Sequence, residues 1–323
     1  MGHVMAGEAT PVQVAAFVVA LRAKGETAGE VAGLAQAMLA LAPHVETPGP
    51  VVDTCGTGGD RAGTINVSTI AAVVAAGAGA VVAKHGNRAA SSRCGSADLL
   101  EALGVNVAMQ PEGVSQCLRE CGIGFMFAPV FHPAMAHAAG PRREMGIPTV
   151  FNFLGPLTNP ARPAGQVVGV ADGRMLPVLA GVLAARGTRA IVVRGDDGLD
   201  EITTTGTSTV IETDAGNVRD YTLDPASLGL SLARPEHLAG GDAEANAGVA
   251  RSVLSGRRGP ARDIVLLNAA AALTVAGKSP DLAGGLALAA ASVDEGRAAA
   301  VLERWVEFSN DSPAHPSGRP QSP

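Results

Sequence analysis

Residues 51–92 read VVDTCGTGGDRAGTINVSTIAAVVAAGAGAVVAKHGNRAASS, and this stretch decides the fold. Val51-Val52 starts a strand, and Asp53-Thr54-Cys55-Gly56-Thr57-Gly58-Gly59-Asp60 follows as a glycine-rich loop. Asn66-Val67-Ser68-Thr69 then opens an apolar helix, Val81-Val82 starts a second strand, and a basic loop begins at Lys84. Residues 65–83 carry no charge, which could suggest a membrane span. However, Asn66, Ser68 and Thr69 begin the run and Gly77 and Gly79 divide it, so a buried helix followed by a buried strand is the reading. A strand, a crossover helix and a strand make a parallel pair, and in an open parallel sheet ligands collect at the carboxyl ends of the strands.

The alternation continues outward. Residues 97–103 read as helix, 105–109 as strand, and 112–121 as helix between Pro111 and Gly122. Further on, 166–170, a helix ending at Leu183, and 191–193 repeat the theme. Residues 210–212 and 218–222 flank Asp214-Ala215-Gly216-Asn217 and read as an edge hairpin. Helices continue through Trp305. Before the alternation lies a helical hairpin. Thr10 with Gln13 and Thr27 with Glu30 spell capping boxes. Val12, Ala16, Val19 and Ala23, then Val31, Leu34, Met38 and Leu41, supply apolar stripes, and Pro48-Gly49-Pro50 makes a joint. Residues 129–163, rich in Pro and His, break the alternation and read as a helical excursion packing on the hairpin. The expected fold is therefore α/β, a mostly parallel central sheet flanked by helices, with a small discontinuous all-helical domain. The helical part comprises 1–45 and 131–163, the α/β part 46–130 and 164–308, and 309–323 is a Ser- and Pro-rich tail expected to be disordered.

Composition narrows the function. The chain has 323 residues, 47% of them hydrophobic and 17% charged, which supports a large core and excludes intrinsic disorder. Lys+Arg 24 against Asp+Glu 30 gives a net charge of -6, without the basic excess of a nucleic-acid-binding surface. Four cysteines without zinc-type spacing suggest a reducing, cytoplasmic setting with no disulfide scaffold, Cys117 and Cys121 being the expected buried thiols. Cys117 and Cys121 share a helical face, and His132 and His137 have no third ligand nearby.

Taken singly, the polar motifs have plain structural readings. The glycine loop is a tight turn, Ser68 and Thr69 belong to a helix cap, and Lys84 opens a solvated basic loop. Asp200-Glu201 is an acidic turn, and Arg142-Arg143 is a surface pair. Together they suggest more. Exposed amides and hydroxyls at a helix start suit an anion, and neighbouring carboxylates suit a hard cation that bridges phosphates. The glycine loop matches neither the P-loop nor the dinucleotide fingerprint. Arg142 can hold a carboxylate by two parallel hydrogen bonds.

These motifs, with Asn152-Phe153-Leu154-Gly155-Pro156-Leu157 and Gly241-Asp242-Ala243-Glu244, resemble anthranilate phosphoribosyltransferase, in order from Gly7 to Trp305. The resemblance implies Mg²⁺-dependent transfer of the 5-phosphoribosyl group from 5-phosphoribosyl 1-diphosphate (PRPP) to anthranilate, by a homodimer. Carried over position by position, the donor contacts are Gly56, Gly59, Asp60, Thr64, Asn66, Val67, Ser68, Thr69, Lys84, His85, Gly86, Asn87, Arg88, Ala89, Ala90, Ser91, Ser92 and Ser96. Lys84 is also a candidate for stabilising the leaving group. Gly56, Asn87 and Arg142 would handle anthranilate. Two magnesium ions per subunit are implied, one on Ser68 and Glu201, the other on Asp200 and Glu201. The sequence departs from the family at Arg194, where a histidine is usual, and in having roughly one helix fewer before Gly7-Glu8. Two rivals use the same fold: pyrimidine-nucleoside phosphorolysis, against which Asp200-Glu201 argues, and a non-catalytic nucleic-acid binder, against which the acidic balance argues. Neither nucleic acid nor membrane is expected as a partner.

Overall fold

The computed structural model describes residues 1–89 and 93–311. Seven strands form one sheet in the order β3-β2-β1-β4-β5-β6-β7. They are β1 (Val52–Gly56), β2 (Val82–Gly86), β3 (Ile123–Phe127), β4 (Gly165–Gly169), β5 (Arg189–Gly195), β6 (Ser208–Asp214) and β7 (Asn217–Leu223). The first five run parallel and β6 and β7 antiparallel, so the sheet is mostly parallel as expected. The chain steps outward from β1 to β3, then returns to lay β4 on the other side of β1. That reversal opens a crevice at the carboxyl ends of β1 and β4.

Both faces of the sheet are covered. On one face lie α4 (Val67–Gly77), α5 (Ser96–Ala102), α6 (Pro111–Glu120), α11 (Ala243–Leu254), α12 (Pro260–Val275), α13 (Leu282–Asp294) and α14 (Arg297–Asp311). On the other, α10 (Leu176–Ala185) shares one apolar cluster with α2 (Pro11–Lys24), α3 (Ala28–Leu39) and α9 (Phe151–Leu154). The short α1 (Gly2–Met5) precedes them, and α7 (Ala128–Phe131) and α8 (Ala136–Met145) belong to the excursion. There α8 packs on α1 and α2, and α9 on α3. Among the described residues no helix is long and apolar enough to cross a membrane; the uncharged run 65–83 divides into α4 and the start of β2.

Both capping boxes form. Thr10 Oγ1 accepts from Gln13 N and Gln13 Oε1 from Thr10 N; Thr27 and Glu30 repeat the pattern. Each is worth about 1 kcal/mol. The α2 stripe is different from expectation. Val12 is 76% exposed, while Val14, Val18 and Leu21 are buried. This helix is apolar nearly all round, so its period does not choose a face; contact with α8 does. The hairpin turn is as read, with Asp214 paired to Asn217 and both Ala215 and Gly216 at positive φ, the twist that suits a two-residue β-turn.

Two further expectations are corrected, and one strand is added to them. Residues 105–109 are not a strand. Val105, Val107 and Met109 are buried and alternate with exposed neighbours, but the Asn106 amide donates to Ser309 Oγ on α14. The alternation comes from packing on a helix layer. The strand on that side of the sheet is β3, where Gly124 lets α6 close in: a Cβ there would lie 3.0 Å from Val114 Cγ1. Finally, α14 runs to Asp311 with Ser309 fully buried, so a disordered tail does not begin at 309. Residues 312–323 lie outside the described residues.

Candidate active site

The strands run further than the apolar pairs that announce them. Asp53 and Lys84, expected in loops, lie inside β1 and β2 and are buried. Asp53 Oδ2 accepts from Asn159 Nδ2 at 2.8 Å, and burial pushes its carboxyl up. Lys84 Nζ donates to the Thr54 carbonyl at 2.5 Å and reaches Ser68 Oγ at 3.4 Å. Lys84 therefore stands beneath the site and meets it through Ser68. This pairing is what allows a lysine to be only 2% exposed.

At the β1/β4 reversal, Asp200 and Glu201 enter from the loop after β5. Glycine makes room for them. A Cβ on Gly56 would lie 2.2 Å from Asp200 Oδ2, and one on Gly169 would lie 1.6 Å from the Asp200 carbonyl oxygen. Asp200 Oδ2 accepts from the Gly58 amide at 2.7 Å, and Glu201 Oε1 from the Ser68 amide at 3.1 Å. Burial, then the nearby Asp60 carboxylate, raises the Asp200 carboxyl to about 6. Burial, then Asp200, raises Glu201 to about 8. Two buried acids above their ordinary range mark a place short of positive charge.

The donor set is carboxylate and hydroxyl oxygen: Asp200, Glu201 and Ser68. Such oxygens fit a hard divalent cation. Among the described residues no three His, Cys, Asp or Glu side chains form a ready cage. Magnesium keeps waters and substrate oxygens and takes one or two carboxylates from the protein, and the Asp200 and Glu201 carboxylates beside the Ser68 hydroxyl are of that kind.

The start of α4 is less open than a bare helix end. The amides of Val67, Ser68 and Thr69 already donate, to Ile65 O, Glu201 and Asn66 O. The Ser68 hydroxyl, facing Lys84, is the group that a ligand can meet. In the glycine loop, Thr57 and Gly58 are used internally, while the Gly59 amide has no hydrogen-bond partner among the described residues. Thr64 bridges to Ala239, and the Ile65 amide donates to Leu238 O, so the segment after the loop is held by residues 238–241.

Two asparagines that the sequence reading missed complete the scaffold. Asn246 Nδ2 donates to Asn66 Oδ1 at 2.8 Å while its own oxygen accepts from the Gly241 amide. Asn268 brackets Ile202, accepting from its amide and donating to its carbonyl. The Gly241-Asp242-Ala243-Glu244 motif, which leads into Asn246, was the one signal in the sequence for the first.

Arg142 is brought to the excursion side, half-buried, with its guanidinium carbon 5.6 Å from the Phe151 ring centroid. Burial lowers its pKa, and no hydrogen bond joins it to Gly56 or Asn87 among the described residues. Asn87 Oδ1 accepts from the Arg88 amide. His85 Nδ1 donates to Gly155 O at 3.2 Å and His132 Nε2 to Thr158 O at 2.8 Å, so each ring is a hydrogen-bonded, buried imidazole, and burial holds His85 down at about 3. His137 packs under Gly7. All four cysteines are buried. Arg194 Nε donates to Ala171 O, fastening the strand end to the loop after β4. Gly86 and Ser96 lie side by side, since a Cβ on the glycine would meet Ser96 Oγ at 2.2 Å. Ala90, Ser91 and Ser92 lie outside the described residues.

The glycosyl transferase family α/β domain matches residues 48–299, and the family's helical bundle domain matches residues 1–42. Anthranilate phosphoribosyltransferase of Saccharopolyspora erythraea is 57% identical over 316 residues, 96% of this chain and 90% of that protein. The chain belongs to the anthranilate phosphoribosyltransferase family. The crystal structure of the family member from Thermus thermophilus superposes with a TM-score of 0.91 at 48% identity, covering 96% of this chain and 93% of that one. The Saccharomyces cerevisiae member in complex with PRPP and Mg superposes with a TM-score of 0.85 at 32% identity, covering 93% and 85%. The family thus accounts for the α/β sheet and the helices before it alike.

Proposed function

We propose that this chain transfers the 5-phosphoribosyl group of PRPP to the amine of anthranilate, releasing diphosphate, as a step of L-tryptophan biosynthesis. The observation that carries this reading is the meeting of Asp200, Glu201 and Ser68 at the β1/β4 reversal, in a chain of this family. The C1–O bond to diphosphate breaks with its electron pair leaving on oxygen, an N–C1 bond forms, and the amine gives up one proton. An aromatic amine is uncharged at neutral pH, so attack needs no strong base. The barrier is separation of charge, which fixed cations and dipoles lower.

Ser68 with Glu201, and Asp200 with Glu201, would hold the two magnesium ions. When bound, these supply positive charge to the departing diphosphate. Lys84 keeps Ser68 and the Thr54 carbonyl in place below them. Gly56, Gly59, Asp60, Thr64, Asn66, Thr69 and Asn87 would line the donor. Arg142 would take the anthranilate carboxylate, and Asn87 with Gly56 its ring and amine. Residues 1–45 with 131–163 would act as one unit against the α/β part, carrying Arg142 toward C1 and excluding water. The protein would work as a homodimer in the cytoplasm.

Loss of anthranilate fluorescence on adding PRPP tests the reading. It should require both PRPP and Mg²⁺; loss without metal, or none with both, contradicts it. Light scattering should return twice the 32.2 kDa chain mass.

A further inference from the structure

Arg194 stands where the family usually has a histidine, and it is not among the groups assigned to donor, acceptor or metal. It is the penultimate residue of β5, and its Nε donates to the Ala171 carbonyl at 3.1 Å, two residues beyond the end of β4. Nη1 reaches back to the Gly195 carbonyl at 3.4 Å. The side chain lies between the two strand exits. A Cβ on Gly173 would touch its Cδ at 3.5 Å, and one on Gly198 would come within 3.9 Å of Nη2. Among the described residues no hydrogen bond joins the guanidinium to Asp200 or Glu201.

Both ends of this bridge lead to Asp200. On the β4 side, the Ala171 amide donates to Thr57 Oγ1 at 3.1 Å, and the Thr57 amide donates to Gly169 O at 2.9 Å. The next amide along the chain, that of Gly58, is the one that holds Asp200 Oδ2 at 2.7 Å. Ala171 is thus gripped by both of its backbone groups, the amide by the glycine loop and the carbonyl by Arg194. On the β5 side, the Gly195 carbonyl accepts from the Gly198 amide at 2.9 Å, and the Gly195 amide donates to Leu199 O at 2.9 Å. That closed turn delivers the chain to Asp200 and Glu201.

We propose that Arg194 is a positioning residue that clamps the exits of β4 and β5 together and so fixes the Asp200 carboxylate for the metal. A neutral histidine ring has one N–H to give, whereas the arginine fork serves Ala171 O and Gly195 O at once. A permanent cation also makes the stronger bond to a carbonyl. The clamp rests on the reading that Asp200 and Glu201 hold magnesium with PRPP. A group bonded directly to a metal ligand changes metal affinity by about 10- to 100-fold when lost. Arg194 acts at one further remove, through Ala171 and Thr57, and its effect is accordingly smaller.

Arg194→Ala should raise the Mg²⁺ concentration for half-maximal turnover by about threefold to tenfold, with kcat at saturating Mg²⁺ and the KM for anthranilate within about twofold. Mn²⁺ in place of Mg²⁺ gives a readout without turnover. With saturating PRPP and no anthranilate, the paramagnetic resonance signal of free Mn²⁺ should report the same weakening. Arg194→Lys, which serves one carbonyl only, should fall between and guards against a variant that does not fold. Thr57→Val removes the hydroxyl that accepts from Ala171. The two substitutions then share one path, so together they should weaken Mn²⁺ by less than the product of the single effects. In metal-free protein, hydrogen exchange at the Gly58 and Ala171 amides should quicken in Arg194→Ala. Unchanged Mn²⁺ affinity, a full product in the double variant, or unchanged exchange at both amides overturns the clamp. A higher KM for PRPP with unaltered Mn²⁺ affinity would make Arg194 a donor contact instead. If wild-type protein with PRPP takes up no Mn²⁺, the functional reading fails, and exchange alone judges the clamp.

Discussion

Asp200 and Arg142, the two ends of the proposed site, are held in opposite ways. Asp200 sits against two strand-end glycines, with its carboxylate on the Gly58 amide. The residues following it are pinned by Asn268 from the buried α12. Arg142 rides on α8, a helix with Pro141 inside it, and touches one aromatic ring. The first half is built from backbone and cannot shift without breaking the sheet end. The second half is a side chain on an excursion, which the proposed closure would carry with it. A donor with a fixed diphosphate suits the first, and an acceptor that must be carried in suits the second.

The contrast can be broken most forcefully at the carboxylates. Asp200→Asn with Glu201→Gln should lower magnesium-dependent turnover by about 10³-fold, as measured by anthranilate fluorescence. Turnover within tenfold of wild type would remove the metal from this place. Gly169→Ala should cost about 3 kcal/mol or more of stability in denaturant unfolding, because its Cβ would enter the Asp200 carbonyl. A cost below 1 kcal/mol would show that half to be softer than described. Arg142→Ala should raise the KM for anthranilate by about tenfold or more with little change in kcat, as loss of a charge-assisted bond does. A fall in kcat at unchanged KM would assign Arg142 a different part.

The smallest effect is a pH dependence. Glu201 has a folded value of about 8 against an ordinary 4.5, so the stabilisation from its protonated form is complete below 4.5 and gone once pH passes 8. His85 works in the opposite direction, held near 3 against an ordinary 6.5, and its contribution is constant above 6.5. Between pH 6.5 and 8 the carboxyl therefore dominates. Metal-free protein should lose stability there by about 1.4 kcal/mol per pH unit at most. Melting curves in chelator should show the fall, and Mg²⁺ should reverse it most at the upper end. A metal-free midpoint that rises across this window would contradict the assignment.

What the sequence disclosed follows the distance over which each feature is decided. Capping boxes and the Ala215-Gly216 turn depend on neighbours within a few residues and are found as read, while the βα alternation is found except at 105–109, in place of which the strand is β3. The strand interiors were harder, because Asp53 and Lys84 are charged and read as loop. Their burial depends on distant partners: Asn159, 106 residues from Asp53, and the Thr54 carbonyl, 30 residues from Lys84. Asn268 was invisible for the same reason, and Asn246 was signalled only by the motif before it, with partners 66 and 180 residues away. The stripe on α2 pointed to the wrong face because nearly every face of that helix is apolar. In the candidate site, the residue types and their order were legible. The engagement of the Arg88 guanidinium by Asp98 and Glu101 was not, although these carboxylates stand one helical turn apart on α5, 10 and 13 residues further on.

The most direct test of the central claim is calorimetric titration of PRPP into the folded protein, with and without millimolar Mg²⁺, repeated on Asp200→Asn with Glu201→Gln. Saturable, metal-dependent heat from the wild type and none from the double variant is the predicted result. Equal heat from both proteins, at equal metal dependence, would place the donor somewhere other than the β1/β4 reversal.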